Sequence, residues 1–172
     1  MSKTATYSLI ASTTISGTST TSYTFSSVPS TFTDLILIIG NGGASGDVQP
    51  GLRFNGDSAG NYSETNLSGS GSATQSSRAS NTTDIQIGYN DYLANGTNNY
   101  AGIINIMDYA NATTYKTVIA RGSNAGTGAG ATVGTWRNIA AITSVTVLPS
   151  YGSSYFLANS TFKLYGIQAG NA

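Results

Sequence analysis

Apolar and polar side chains alternate with a period of two along most of this chain, in short runs separated by turn residues. Tyr7, Leu9 and Ala11 stand among polar neighbours and predict a first strand. Tyr23 and Phe25 begin a second, which runs to Val28 and stops at Pro29. From Phe32 to Ile39 the run ends continuously apolar, as a strand covered on both faces would. Gly40-Asn41-Gly42-Gly43 breaks it and opens a glycine-rich loop reaching Gly51. Leu52 and Phe54 flank Arg53 in a short strand closed by the turn Asn55-Gly56-Asp57.

The middle is more polar. Tyr62 to Leu67 reads as a strand, and Gly69 to Ser80, rich in Ser and Gly, as either an edge strand or a long loop. Ile85, Ile87 and Tyr89 alternate cleanly, and Tyr92 to Tyr100 holds the hairpin-like pair Asn95-Gly96. Strands are expected over Ile103 to Tyr109 and Tyr115 to Ala120, then a second glycine-rich loop from Gly122 to Gly134. Ile139 to Leu148 and Thr161 to Ile167 complete the series. No segment carries a period of 3.6 with helix caps. The expectation is an all-β antiparallel β-sandwich of about ten short strands. A jelly roll is the arrangement favoured, because both terminal strands read as central and apolar. One domain is expected over residues 1–172, without linker or internal repeat.

Composition sharpens this picture. Charged residues make up 8% of the chain, against the ~25% of ordinary soluble domains. Disorder is not the inference, because eleven Tyr, five Phe and one Trp accompany a formal net charge of zero. Seven basic and seven acidic residues are scattered singly, so no basic run is present to neutralise phosphates and no nucleic-acid partner is expected. No Cys and no His occur, which removes disulfides, thiolate metal sites and the commonest general base. The strongest apolar run, Leu35 to Ile39, is far short of the ~20 residues of a membrane helix. The start, Met1-Ser2-Lys3-Thr4, does not read as a secretory signal, so a soluble protein made inside the cell is expected. Six Asn-x-Ser/Thr matches, at Asn61, Asn66, Asn81, Asn95, Asn111 and Asn159, are what chance gives in a chain this rich in those residues.

Chemistry has few places to sit. Glu64 and the Asp residues 34, 47, 57, 84, 91 and 108 could form a glycosidase pair only if folding brings two into one cleft. Asn55 to Asn61 has oxygen ligands and glycines but lacks the order of a calcium loop. Gly126-Thr127-Gly128-Ala129-Gly130 places its third glycine too early for a dinucleotide fingerprint. No catalytic, cofactor or metal residue is assigned. Among the aromatics, Tyr89, Tyr109 and Tyr115 lie on clean alternation and are expected in the core. Tyr92, Tyr100 and Trp136 sit nearer loop signals and are contact candidates, since exposed aromatic rings anchor interfaces.

Several stretches are words of a known kind. They are Leu52-Arg53-Phe54-Asn55-Gly56-Asp57, then Asn61-Tyr62-Ser63, Ile142-Thr143-Ser144-Val145-Thr146-Val147 and Phe162-Lys163-Leu164-Tyr165-Gly166-Ile167. The opening Tyr7-Ser8-Leu9-Ile10-Ala11 and the Phe25 to Leu37 strand pair belong with them. From about Thr4 to Gln168 the chain resembles a family of small virion proteins of tailed phages, seen especially in phages of cyanobacteria and other marine bacteria. The resemblance implies a β-sandwich that is either a capsid decoration (cement) protein or a domain of a tail or fibre protein, and it brings no catalytic residues. The first expectation is therefore a decoration protein in the virion, made in the host bacterial cytoplasm. Its partners would be the major capsid protein and copies of itself, a homotrimer by analogy, with no nucleic acid and no membrane. Contacts are expected from loops 40–51 and 122–134 and from segment 69–80, with Gly42, Gly43 and Gly128 among the contact residues. A second expectation is a tail-fibre or receptor-binding head whose aromatic rings grip host surface glycans. A glycoside-processing enzyme is the third, and requires two carboxylates in one cleft.

Overall fold

A computed structural model describes residues 6–17, 19–89, 93 and 98–168. The described residues form twelve strands and no helix: β1 (Tyr7–Thr14), β2 (Tyr23–Phe25), β3 (Asp34–Gly42), β4 (Pro50–Phe54), β5 (Tyr62–Gly69), β6 (Thr74–Thr82), β7 (Ile85–Gln86), β8 (Tyr100–Met107), β9 (Lys116–Asn124), β10 (Gly128–Trp136), β11 (Val145–Pro149) and β12 (Thr161–Ile167). They make an eight-stranded sheet, in the order β1-β12-β3-β8-β9-β10-β5-β6, and a four-stranded sheet, β2-β11-β4-β7. Every pairing is antiparallel. The all-β antiparallel sandwich expected from the period of two is the fold observed.

The pairing is nested. β1 pairs with β12, β2 with β11, β3 with β8 and β4 with β7, as if one long hairpin had been folded over itself. Two further hairpins, β5/β6 and β9/β10, interrupt that scheme and join each other through β10 and β5. They widen the larger sheet well beyond the smaller one.

The core lies between the sheets. Leu35, Leu37 and Ile39 of β3, Ile104 and Ile106 of β8, and Phe162 and Leu164 of β12 face Phe25, Leu52, Phe54, Val145 and Val147 of the smaller sheet. Each such side chain stabilises the fold by roughly 1.5–3 kcal/mol relative to exposure. Trp136, Tyr62 and Phe54 extend the core, with Trp136 stacked on Tyr62 at 6.4 Å between ring centroids. The polar ends of both large rings are satisfied. Trp136 Nε1 donates to Asp57 Oδ2 at 2.8 Å, and Tyr62 Oη donates to the Asp57 carbonyl at 2.9 Å.

Four sequence expectations change. The run 122–134 is not a loop, because it supplies the end of β9 and most of β10 around a short turn. Its glycines make room. A Cβ on Gly122 would stand 2.1 Å from Tyr100 Oη, and one on Gly134 would stand 2.4 Å from Ile85 Cγ2. Ile139 to Leu148 yields a strand only from Val145, since the Asn55 side chain accepts the backbone N–H groups of Thr143 and Ser144 that a ladder would have used. The Ile85–Tyr89 strand is reduced to Ile85–Gln86. Finally, β12 is an inner strand but β1 is the sheet's edge, so only one of the terminal strands is central. Segment 69–80, read either way from sequence, contributes the edge strand β6. The Asn95-Gly96 pair lies outside the described residues.

Candidate functional site

Most of the expected contact residues that the structure describes lie in the interior. Tyr100 and Trp136 are buried, each at 1% exposure or less, and so present no ring to a partner. Tyr100 is buried because its ring fills the space left by Gly102 on its own strand, β8, and by Gly122 on the neighbouring β9. Gly42 is packed under Leu93, where a Cβ would come within 2.9 Å of Leu93 Cδ2. Gly43 is tied to Ser160, whose Oγ accepts its N–H at 3.1 Å. Loop 40–51 is thus stitched into the body of the protein, with bridges Ala44 to Phe156 and Val48 to Leu93. Gly128 is half-buried at the end of β10 against the Gly69 carbonyl. Tyr92 lies outside the described residues. Of the rings expected in the core, Tyr109 is there, whereas Tyr89 and Tyr115 are exposed.

What remains open is the outward face of the eight-stranded sheet. Register places one unbroken row across all eight strands: Leu9, Tyr165, Ile36, Asn105, Ile119, Val133, Thr65 and Arg78. The adjacent row is Ser12, Lys163, Ile38, Ile103, Arg121, Ala131, Leu67 and Ser76. An outward sheet face in water should be polar, yet these rows are aliphatic at their centre. Leu9, Ile119, Val133 and Leu67 are 55%, 42%, 53% and 62% exposed, whereas Ile36 of the first row is buried. Ile119, Val133 and Leu67 lie on the adjacent strands β9, β10 and β5, and a cluster of exposed apolar side chains is a candidate interaction surface where single ones are not. At ~4.8 Å between strands and ~3.4 Å per residue the face measures roughly 34 Å by 27 Å, or about 900 Å². A standard protein interface uses ~800 Å² per partner. A shallow trough lined by Ile38, Gly40, Ala101, Ile103, Arg121 and Ala129 runs across one end.

The charges in these two rows share one sign. Arg78, Arg121 and Lys163 lie in the two rows. The acid of this face, Asp34 at the end of β3, accepts the Asp108 N–H at 2.7 Å. Among the described residues the ion pair present is Arg53–Asp84, at 3.5 Å and elsewhere in the molecule.

Folding also brings two acids to one recess. Glu64 of β5 and Asp84, just before β7, line a cavity of about 260 Å³ with Thr82, Gln86, Ser150 and Tyr151. Burial pushes the Glu64 carboxyl up to about 7; the Asp84 charge adds to this, and hydrogen bonds from Thr82 and the Gln86 backbone oppose it. Asp84 is engaged on both oxygens, by Ser150 Oγ at 2.6 Å and by Arg53 at 3.5 Å. The turn weighed as a calcium loop is likewise engaged. Asp57 accepts from the Ala59 N–H, Asn61 Nδ2 and Trp136 Nε1. Burial works to raise the Asp57 carboxyl, and these three bonds outweigh it and hold it below the ordinary range.

Comparison with known protein families, with characterised proteins and with solved structures finds no match to this chain.

Proposed function

We propose that this chain is a structural attachment protein that docks through the outward face of its larger sheet, and that its setting is the capsid of a tailed phage. The observation that carries docking is the exposure of Ile119, Val133 and Leu67 on the adjacent strands β9, β10 and β5 of that face, which is wide enough for a standard interface. The capsid setting rests on the sequence resemblance of the turn and strand words, from Leu52-Arg53-Phe54-Asn55-Gly56-Asp57 to the last strand. We read the nested pairing as a jelly roll enlarged by two hairpins, and the hairpins as the elements that make the docking face wide. In this reading the partner is the major capsid protein. Repetition of the contact around a symmetry axis, a homotrimer being the unit we favour, adds avidity. The Glu64–Asp84 recess is structural in this reading, because Asp84 is already bound by Arg53 and Ser150.

One observation favours a second reading, the glycan-binding head of a tail fibre. The same recess offers carboxyl, amide and hydroxyl groups beside Tyr151, which is exposed at its rim. Copy number separates the two. Quantitative mass spectrometry of purified virions against the major capsid protein should give hundreds of copies per particle for decoration. A few tens would move the chain to the tail, and none would remove it from the virion.

A further inference from the structure

The proposed docking face has a feature at its β10/β5/β6 end that specifies the chemistry of what it meets. Ser63, Thr65, Ser80 and Thr135 surround a recess of about 380 Å³, flanked by Arg78 of β6 and Arg137 just after β10. Register explains the cluster: Thr65 lies opposite Arg78 and Val133, and Ser63 opposite Ser80 and Thr135. The four hydroxyls therefore share one face of three adjacent strands, and all can donate.

Arg137 is pre-set. One of its terminal nitrogens donates to the Gly60 carbonyl at 2.6 Å and to Asn81 Oδ1 at 2.7 Å. Both acceptors are neutral, so its charge is uncompensated. Arg78 is exposed and forms no ion pair among the described residues. Glu64 contributes to the wall, but it belongs to the buried inward series Tyr62, Glu64, Asn66 and Ser68 of β5 and accepts from Thr82 there. Two guanidinium groups and four hydroxyls, with Glu64 as the one carboxyl-bearing residue of the lining and its Oε2 taken up by Thr82, make a site for an oxyanion, which Arg binds through a planar fork of N–H donors.

We propose that this recess receives a carboxylate side chain, Asp or Glu, of the protein on which the face docks. The inference rests on the docking reading above. A protein is favoured over an acidic glycan because Val133 forms part of the recess and continues into the aliphatic row through Ile119. An occupant that fills the recess therefore also covers apolar surface.

The first test uses the isolated chain and glutarate as the carboxylate probe. Arginine Nε–Hε resonances are followed by NMR against sodium chloride of matched ionic strength. Glutarate should shift Arg78 and Arg137 together and saturably at tens of millimolar, and leave Arg121 and Arg53 in place. A response equal to that of chloride overturns the site. N-acetylneuraminic acid binding ten times more tightly than glutarate overturns the choice of a protein side chain. The second test counts copies per virion in phages carrying variants. Arg78→Gln, which removes no hydrogen bond described above, should lower occupancy at least tenfold with an unchanged Tm, and Arg137→Lys, which keeps the charge but not the fork anchored on Gly60 and Asn81, should lower occupancy likewise. Ile119→Thr with Val133→Thr tests the docking face itself. Loss in that double variant with full occupancy in both arginine variants overturns the recess and leaves docking intact. Full occupancy in every variant overturns docking.

Discussion

Glu64 shows how much a single residue can reveal about its side of the sheet. Its carboxyl sits inside the sandwich, 4% exposed, and is pushed up to about 7 mainly by burial. A raised acid pKa costs stability once the unfolded chain has lost its proton and the folded one has not. The loss therefore begins above the ordinary value of 4.5 and is complete above about pH 7. At ~1.36 kcal/mol per pH unit the ceiling is about 3 kcal/mol, and relaxation around the site lowers it to about half. Glu64→Gln should match the parent protein near pH 4 and exceed it by about 1–3 kcal/mol at pH 8, measured by urea unfolding. An advantage that does not change with pH would refute this account. Sequence reading missed Glu64 for a definite reason. On β5 the inward series is Tyr62, Glu64, Asn66 and Ser68, while the apolar Leu67 points out and is 62% exposed. Alternation identifies two faces but does not say which one the second sheet covers. The same limit explains Tyr115, expected inside and found 58% exposed.

At the level of elements, strands with bulky inward residues were legible and strands with small ones were not. β3 and β12 announce themselves through Leu35, Leu37, Ile39, Phe162 and Leu164. β10 presents Gly128, Gly130, Thr132, Gly134 and Trp136 inward, which has the period of a strand but the composition of a loop. Its glycines answer to Ile85 and to the neighbouring Gly69 carbonyl, and such long-range demands leave no trace in local sequence. Thr132 completes the inner surface, since its Oγ1 accepts the Gly88 N–H at 2.8 Å and bonds to Asn66. The edge strand β6 is the least anchored part of the larger sheet, with mainly exposed side chains and one paired flank. Hydrogen exchange should therefore be fastest among the paired amides in β6 and slowest in β3, β8 and β12. Equal protection of β6 and β3 in the isolated chain would mean that something covers the edge, such as a second copy.

On the scale of the whole molecule, the core and the proposed docking surface occupy opposite faces of one sheet. Substitutions on the outward rows should be cheap for folding. Leu67→Thr, Ile119→Thr and Val133→Thr together should leave the urea midpoint within about 1 kcal/mol of the parent, as exposed positions usually do. The same triple variant should bind less of an apolar dye such as ANS. A collapse in stability would show that these residues belong to the core. The candidate face itself was not visible in the sequence, because it arises from register between strands as distant as β1 and β6. Nesting has one more outcome, and it concerns time. Tyr7 lies opposite Ile167, so the outermost pair closes a loop of about 160 positions before it gains a single ladder bond. The chain should fold slowly, with β1 the last strand to join. A circular permutant that ties Gln168 to Thr6 and opens at the turn around Gly71 converts that closure into a short hairpin. It should refold faster than the natural order at similar stability, and stopped-flow fluorescence of Trp136 would time both.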